Sequence, residues 1–284
     1  MVNTNGIAGC YRLFASLLAL LASFTPLTCL AQSVASNAAS ATCDRSAFRV
    51  VVDVGHTNNA GGALSARGVF EYEFNLRLAG EIAQSLVDAG FARTLLVVST
   101  EAPTAGLHQR AAVFNALGAD VLLSIHHDAV PDRMLETWEY EGAKHEYNDR
   151  FPGHSLFISR DNGDYAGSLL FGRLLGTSLK ERGLQYTPHY VERYMGSRRR
   201  ILVDAQAGVY RYDQLIVLRH TRMPAVLLEA GSIVNRDEEV QLSDPERRST
   251  ISAAASEAVE AFCTARVRHG PLIATRTSAH FRSH

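Results

Sequence analysis

The sequence predicts an α/β fold, with a mostly parallel central sheet flanked by helices on both faces. Three observations predict it. Strand-like and helix-like segments alternate along the chain. Several strand-like segments are near-continuous apolar runs, which suits a sheet covered on both faces. Polar residues follow directly on the ends of those runs, where the functional groups of open α/β sheets collect.

In chain order, Arg49-Val50-Val51-Val52-Asp53-Val54 reads as a buried strand ending at Gly55. From Glu71 the residues Phe74, Leu76, Leu78, Ile82, Leu86 and Val87 recur at helical spacing, and Gly90 stands where that helix would end. Residues 94–98 form a second strand, 107–117 a helix-like segment, and Asp120-Val121-Leu122-Leu123-Ser124-Ile125 a third strand. A fourth strand over 156–159, a long helix over 167–182, a short strand over 215–218, a strand over 224–229 and a closing helix over 245–263 complete the order. Residues 131–152 and 188–207 lack periodicity and carry Trp138, Tyr140, Tyr147, Tyr190 and Tyr194, so they read as loops. The first of them follows the end of the third strand and is expected to border the cleft there.

The 284 residues, 46% hydrophobic and 20% charged, are enough for one full core and are read as a single catalytic domain over 47–265. Residues 1–31 have the outline of a secretory signal peptide: Arg12 as the only charge, an apolar run from Leu13 to Ala22, then Pro26 and a small residue at Ala31. The run is too short and too interrupted for a spanning helix, so no stable membrane insertion is expected after cleavage. Ile7-Ala8-Gly9-Cys10 looks like a lipoprotein box but precedes the apolar run instead of following it. Residues 32–46 read as a flexible N-terminus with order beginning near Phe48, and 266–284 as a disordered basic tail. Export to the periplasm or cell envelope is the expectation.

Of the 28 basic residues, cleavage removes Arg12 alone, leaving 27 against 29 acidic ones, a balance that implies no nucleic-acid partner. Arg198-Arg199-Arg200 is the one dense basic spot and reads as a solvated loop. Cys43 and Cys263 remain after export; in an oxidising compartment they could pair and tie the two ends of the domain, or stand as two free thiols.

Chemistry concentrates at three strand ends: His56 after the first strand, His126-His127-Asp128 after the third, and Glu229-Ala230-Gly231 at the last. Glu71 opens the first helix after a Gly-rich loop. Two His and one Glu make the ligand set that zinc takes in hydrolases, with a fourth position for water. Bound to zinc, water acquires a pKa of about 7 and serves as nucleophile. Glu229 could then accept its proton. Each residue also has a plain structural role open to it: His56 a turn residue, His126 a core histidine, Glu71 a carboxylate matching the helix dipole, Glu229 a surface acid. Glu73 and His127 are rival ligands. There is no Gly-x-Ser-x-Gly elbow, His-Glu-x-x-His helix, Cys-x-x-Cys or phosphate loop.

Asp53-Val54-Gly55-His56, then Glu71-Tyr72-Glu73-Phe74-Asn75-Leu76, Arg110 with Asn115, Ser124-Ile125-His126, and Pro224-Ala225-Val226-Leu227-Leu228-Glu229-Ala230-Gly231 with Asn235 resemble, in order, the zinc-dependent N-acetylmuramoyl-L-alanine amidases that cut bacterial cell walls. The resemblance spans residues 48 to about 264. It implies a phosphorylase/hydrolase-like fold, Zn2+ on His56, Glu71 and His126, Glu229 as catalytic glutamate, and peptidoglycan as partner, with any protein regulator unidentified. It selects Glu71 over Glu73 and His126 over His127, leaving His127, Arg110 and Asn75 as outer groups around the ligands. The chain departs from the family pattern at Thr57, Asp128 and Ser232. Two other readings are a catalytically weak peptidoglycan-binding module of the same fold and a zinc peptidase acting on the stem peptide.

Overall fold

The structure, a computed structural model, describes residues 42–100 and 105–269. The expected signal peptide, residues 32–41 of the expected flexible N-terminus, and the tail from residue 270 lie outside the described residues.

Nine strands and six α-helices are described: β1 (Val50–Val54), α1 (Glu71–Asp88), β2 (Leu95–Val97), α2 (Ala105–Leu117), β3 (Val121–Asp128), β4 (Glu136–Tyr140), β5 (Ala143–Tyr147), β6 (Ser155–Ile158), α3 (Tyr165–Glu181), β7 (Ile201–Asp204), β8 (Val209–Arg211), α4 (Ile216–His220), β9 (Ala225–Ser232), α5 (Arg236–Ser243) and α6 (Pro245–His269). Seven strands form one sheet in the order β2-β1-β3-β9-β6-β8-β7, and β4 and β5 form a separate hairpin. Pairings β1–β2, β1–β3, β3–β9 and β6–β8 are parallel; β6–β9 and β7–β8 are antiparallel. The sheet is mixed and mostly parallel, as expected.

Strand alternation explains the unbroken apolar runs. Val50, Val52, Val54, Leu123, Ile125, Val226 and Leu228 pack with α1, α3 and α6 on one face. Val51, Leu122, Ala225 and Leu227 pack on the other with Phe114 of α2 and Leu218 of α4. His126 and Glu229 lie in the C-terminal halves of β3 and β9.

Five expectations are corrected. Residues 215–218 are not a strand: Ile216–His220 is a short helix whose Leu218 is buried against the sheet. A four-residue apolar run fits either element by pattern, and both flanks of β9 are already taken by β3 and β6. Residues 131–152 are not a loop throughout, because Glu136-Thr137-Trp138-Glu139-Tyr140 alternates and meets β5 through Glu141 and Gly142, at φ 51° and 76°. Two successive positive φ values are the signature of a tight hairpin turn. Residues 188–207 likewise contain two 3-10 turns and β7. The closing helix continues past Cys263 to His269, so the first residues of the expected tail are helical. Helix α5 was not expected; Asn235 caps it, accepting from the Asp237 and Glu238 amides.

Order also begins before Phe48. A turn follows Asp44, whose carboxylate accepts from the Ser46 and Ala47 amides, and Cys43 is disulfide-bonded to Cys263 of α6 with the Cα atoms 5.4 Å apart. The bridge closes the two ends of the domain, resolving the pairing that spacing had left open.

Candidate metal centre and catalytic cleft

Helix α1 starts without a side-chain cap at Phe70; instead the Glu71 and Tyr72 amides donate to Ala63 and Gly61 carbonyls of the Gly-rich loop. These bonds satisfy two of the orphan donors of the first turn and fix Glu71 at the edge of the sheet. His56 leaves β1 at φ 63°, a left-handed conformation uncommon for a non-glycine residue. Arg110 of α2 holds it there, donating to the His56 carbonyl at 2.8 Å and to the Val54 carbonyl at 3.3 Å. Arg110 also pairs at 3.5 Å with the fully buried Asp53, which accepts from Ser124 Oγ at 2.7 Å. His126 comes from β3.

These elements bring His56 Nε2 to 2.8 Å from Glu71 Oε2 and His126 Nδ1 to 3.0 Å from Glu71 Oε1. One ligand atom from each of the three residues lies within 4.8 Å of the others, and among the described residues no other such group of His, Cys, Asp or Glu occurs. Burial alone would raise the Glu71 pKa, but hydrogen bonds from His126 and His56 outweigh it and hold the carboxyl well below its ordinary value. Two glycines permit the approach. A Cβ on Gly55 would sit 2.5 Å from the His126 ring, and one on Gly62 would sit 2.5 Å from Glu71 Oε2.

The rivals are separated by direction. His127 turns to the α1 side of the sheet, where its Nδ1 meets Asn75 Oδ1 at 2.7 Å and its ring tilts against Phe74. Burial pushes its pKa down to about 3, so it is neutral. Asn75 also donates to Glu71 Oε1 at 3.1 Å and to the Gly55 carbonyl at 3.2 Å, linking His127 to the ligand carboxylate. Glu73 takes no part in the cluster. Asn75 thus touches Glu71 directly, Arg110 the His56 carbonyl, and the His127 ring reaches Glu71 through Asn75.

Glu229 pairs in register with His126 across β3 and β9, so both side chains leave the same face of the sheet. Its Oε2 is enclosed without a hydrogen-bond partner. Burial, then repulsion from Asp128 and Glu71, raises its pKa well above the ordinary range. The ladder is irregular between His126 and Asp128, a break common beside functional sites. The buried Asp128 accepts from Tyr190 Oη at 2.6 and 2.7 Å, and burial lifts its pKa to about 6. A cavity of about 470 Å3 joins all of these groups: His56, Glu71, His126 and Glu229 on its floor, and Tyr190, Arg198, Arg200 and Tyr212 on its wall. That wall was missed from sequence. Its signal was a long irregular stretch dense in Tyr and Arg, of the kind that carries function in compact domains. Of the family-divergent residues, Thr57 forms a backbone turn with Ala60 and lines an adjoining cavity with His56 and His126, and the Ser232 amide donates to Glu238.

Two imidazoles and one carboxylate, partly shielded and converging beside an unpartnered carboxylate, fit a divalent cation of the zinc type. Fold and cleft together define an α/β protein with a candidate metal centre on its central strands. The family model for N-acetylmuramoyl-L-alanine amidase matches residues 50–261, and the chain belongs to that family. Its structure is similar to N-acetylmuramoyl-L-alanine amidases from Clostridium difficile 630 (21% identity, 76% of this chain and 97% of that one, TM-score 0.56). It is also similar to Ami1 from Mycobacterium smegmatis (18%, 78% and 98%, TM-score 0.60). The catalytic domain of CwlV from Bacillus (Paenibacillus) polymyxa matches likewise (22%, 76% and 97%, TM-score 0.53). No curated protein matches the chain by sequence.

Proposed function

We propose that the protein is a zinc-dependent N-acetylmuramoyl-L-alanine amidase, hydrolysing in peptidoglycan the amide between the lactyl group of N-acetylmuramic acid and L-alanine. The observation that carries this is the convergence of His56, Glu71 and His126 beside the unpartnered Glu229 Oε2, on a chain of that family. His56, Glu71 and His126 would hold the ion; zinc supplies a Lewis acid for the carbonyl and lowers the pKa of water.

The chain's own residues do the rest. Glu229 accepts a proton from the attacking water as the C–O bond forms, then delivers it to the nitrogen as the C–N bond breaks, so that peptide leaves with a free amine. Asn75 and Arg110 keep Glu71 and the His56 loop in place. The apolar run and Ala31 support export, which would bring the enzyme to its substrate in the periplasm or envelope.

The test compares zinc content and release of peptide from purified sacculi. Glu229→Gln is expected to keep zinc and lose activity by about 10²–10⁴-fold, the usual worth of a general acid–base, whereas His126→Ala is expected to lose both. Wild-type protein that takes up no zinc, or a Glu229→Gln variant with undiminished release, overturns the reading. Mass spectrometry of the product identifies the bond: a free L-alanine amino terminus and intact sugar, in contrast to a stem-peptide cut.

A further inference from the structure

The triplet Arg198-Arg199-Arg200 divides in the fold. Arg199 donates Nε to the Val191 carbonyl at 2.8 Å and does not line the cleft, in keeping with the solvated loop expected of it. Arg198 and Arg200 both line the cavity that holds His56, Glu71, His126 and Glu229. Neither forms an ion pair among the described residues. The Arg198 guanidinium donates to the Ala129 carbonyl at 3.4 Å. Arg200 is half-buried; its Nη1 donates to the Ser197 and Arg199 carbonyls at 3.0 and 3.1 Å, and its Nε is enclosed without a partner. Its guanidinium lies over the Tyr212 ring, 3.4 Å from the centroid, and 6.0 Å from that of Tyr190.

A desolvated cation without a counter-ion is costly, and a guanidinium held in plane by an aromatic ring is pre-organised to take a planar anion through two N–H groups. No carboxylate on the floor of the cleft is paired with it: Asp128 is engaged by Tyr190, Glu71 by the two ligand histidines, and Glu229, whose Oε2 has no hydrogen-bond partner, forms no ion pair with Arg198 or Arg200. The anion therefore comes with the substrate. In the amide proposed above, the lactyl carboxyl is consumed by the bond itself, so the sugar side presents no charge and the carboxylates lie on the peptide side.

We propose that Arg198 and Arg200 form a subsite for a carboxylate on the peptide portion of the substrate, a subsite that sets which peptides the cleft accepts. The assignment rests on the amidase reading, and binding to a catalytically silent protein separates the two. The zinc-loaded Glu229→Gln protein would be titrated calorimetrically with N-acetylmuramoyl-peptide whose peptide carboxylates are free, and with the same compound as its carboxamides. The carboxylate form is expected to bind at least about tenfold more tightly, the low end for hydrogen bonds between charged groups. That preference is expected to vanish when Arg198→Ala and Arg200→Met are added and to survive Arg199→Ala. Should Arg200→Met fail to fold, Arg198→Ala with Arg200→Lys, which keeps the charge but not the fork, is expected to lose most of the preference. The absence of a preference in the Arg-intact protein, or its persistence without both arginines, overturns the subsite. Failure of the amidase reading shows elsewhere, as no peptide release by the protein with Glu229 intact.

Discussion

Gly55 and Gly62 set how closely the ligand side chains can approach one another, because each occupies space that a Cβ would take from His126 or Glu71. Gly55→Ala is expected to leave the fold intact by circular dichroism and to weaken zinc binding at least about tenfold, the usual cost of disturbing a ligand's support. Chelator competition measures it, and unchanged affinity would show that the His126 ring can move aside. His56 adds a second form of local strain, a left-handed backbone held by the Arg110 hydrogen bond. Such outliers persist where the surroundings over-determine them, which is the condition at a site that must hold its geometry.

At the scale of elements, the β4–β5 hairpin is pinned to the domain, not free. Trp138 Nε1 donates to the Ala66 carbonyl at 2.8 Å, and the Arg67 and Arg236 guanidinium groups lie over the rings of Trp138, Tyr140 and Tyr147. Its outer strand residues Thr137, Lys144 and Glu146 wall a groove of about 720 Å3 that meets the catalytic cleft at Gly62, Ala63 and Ala129. A groove continuous with the cleft gives a polymeric substrate room beyond the scissile bond. Replacing residues 136–147 by a short Gly-Ser link is expected to lower kcat/KM on sacculi by about tenfold, the equivalent of about 1.4 kcal/mol of lost contact, and to change hydrolysis of a small soluble muramoyl-peptide far less. Equal rates on both substrates for the shortened and complete proteins would remove the hairpin from substrate binding.

At the scale of the molecule, the Cys43–Cys263 bridge joins positions 220 residues apart and clamps the segment before β1 onto α6. Closing so long a loop restricts the unfolded chain, and losing the bridge is expected to reduce unfolding free energy by about 3 kcal/mol. Urea unfolding of the Cys43→Ser, Cys263→Ser protein measures it, and equal midpoints for that protein and the oxidised wild type would show that the bridge carries no stability. Among the described residues no helix is long and apolar enough to cross a membrane. Within this frame, the sequence by itself determined the α/β class and the order of the main strands and helices, and it put His56, Glu71, His126 and Glu229 forward as candidates. Buried strands write themselves as unbroken apolar runs, and polar residues that end such runs stand out. Tertiary structure alone decided the rest. The choice of His126 over His127 had rested on resemblance until strand alternation sent them to opposite faces. The pairing of Glu229 with His126 needed the β3–β9 register, and the disulfide needed the two chain ends brought together. The cleft wall of Tyr190, Arg198, Arg200 and Tyr212 comes from a segment without periodicity, whose side chains acquire a role only when the fold sets them across from the ligands.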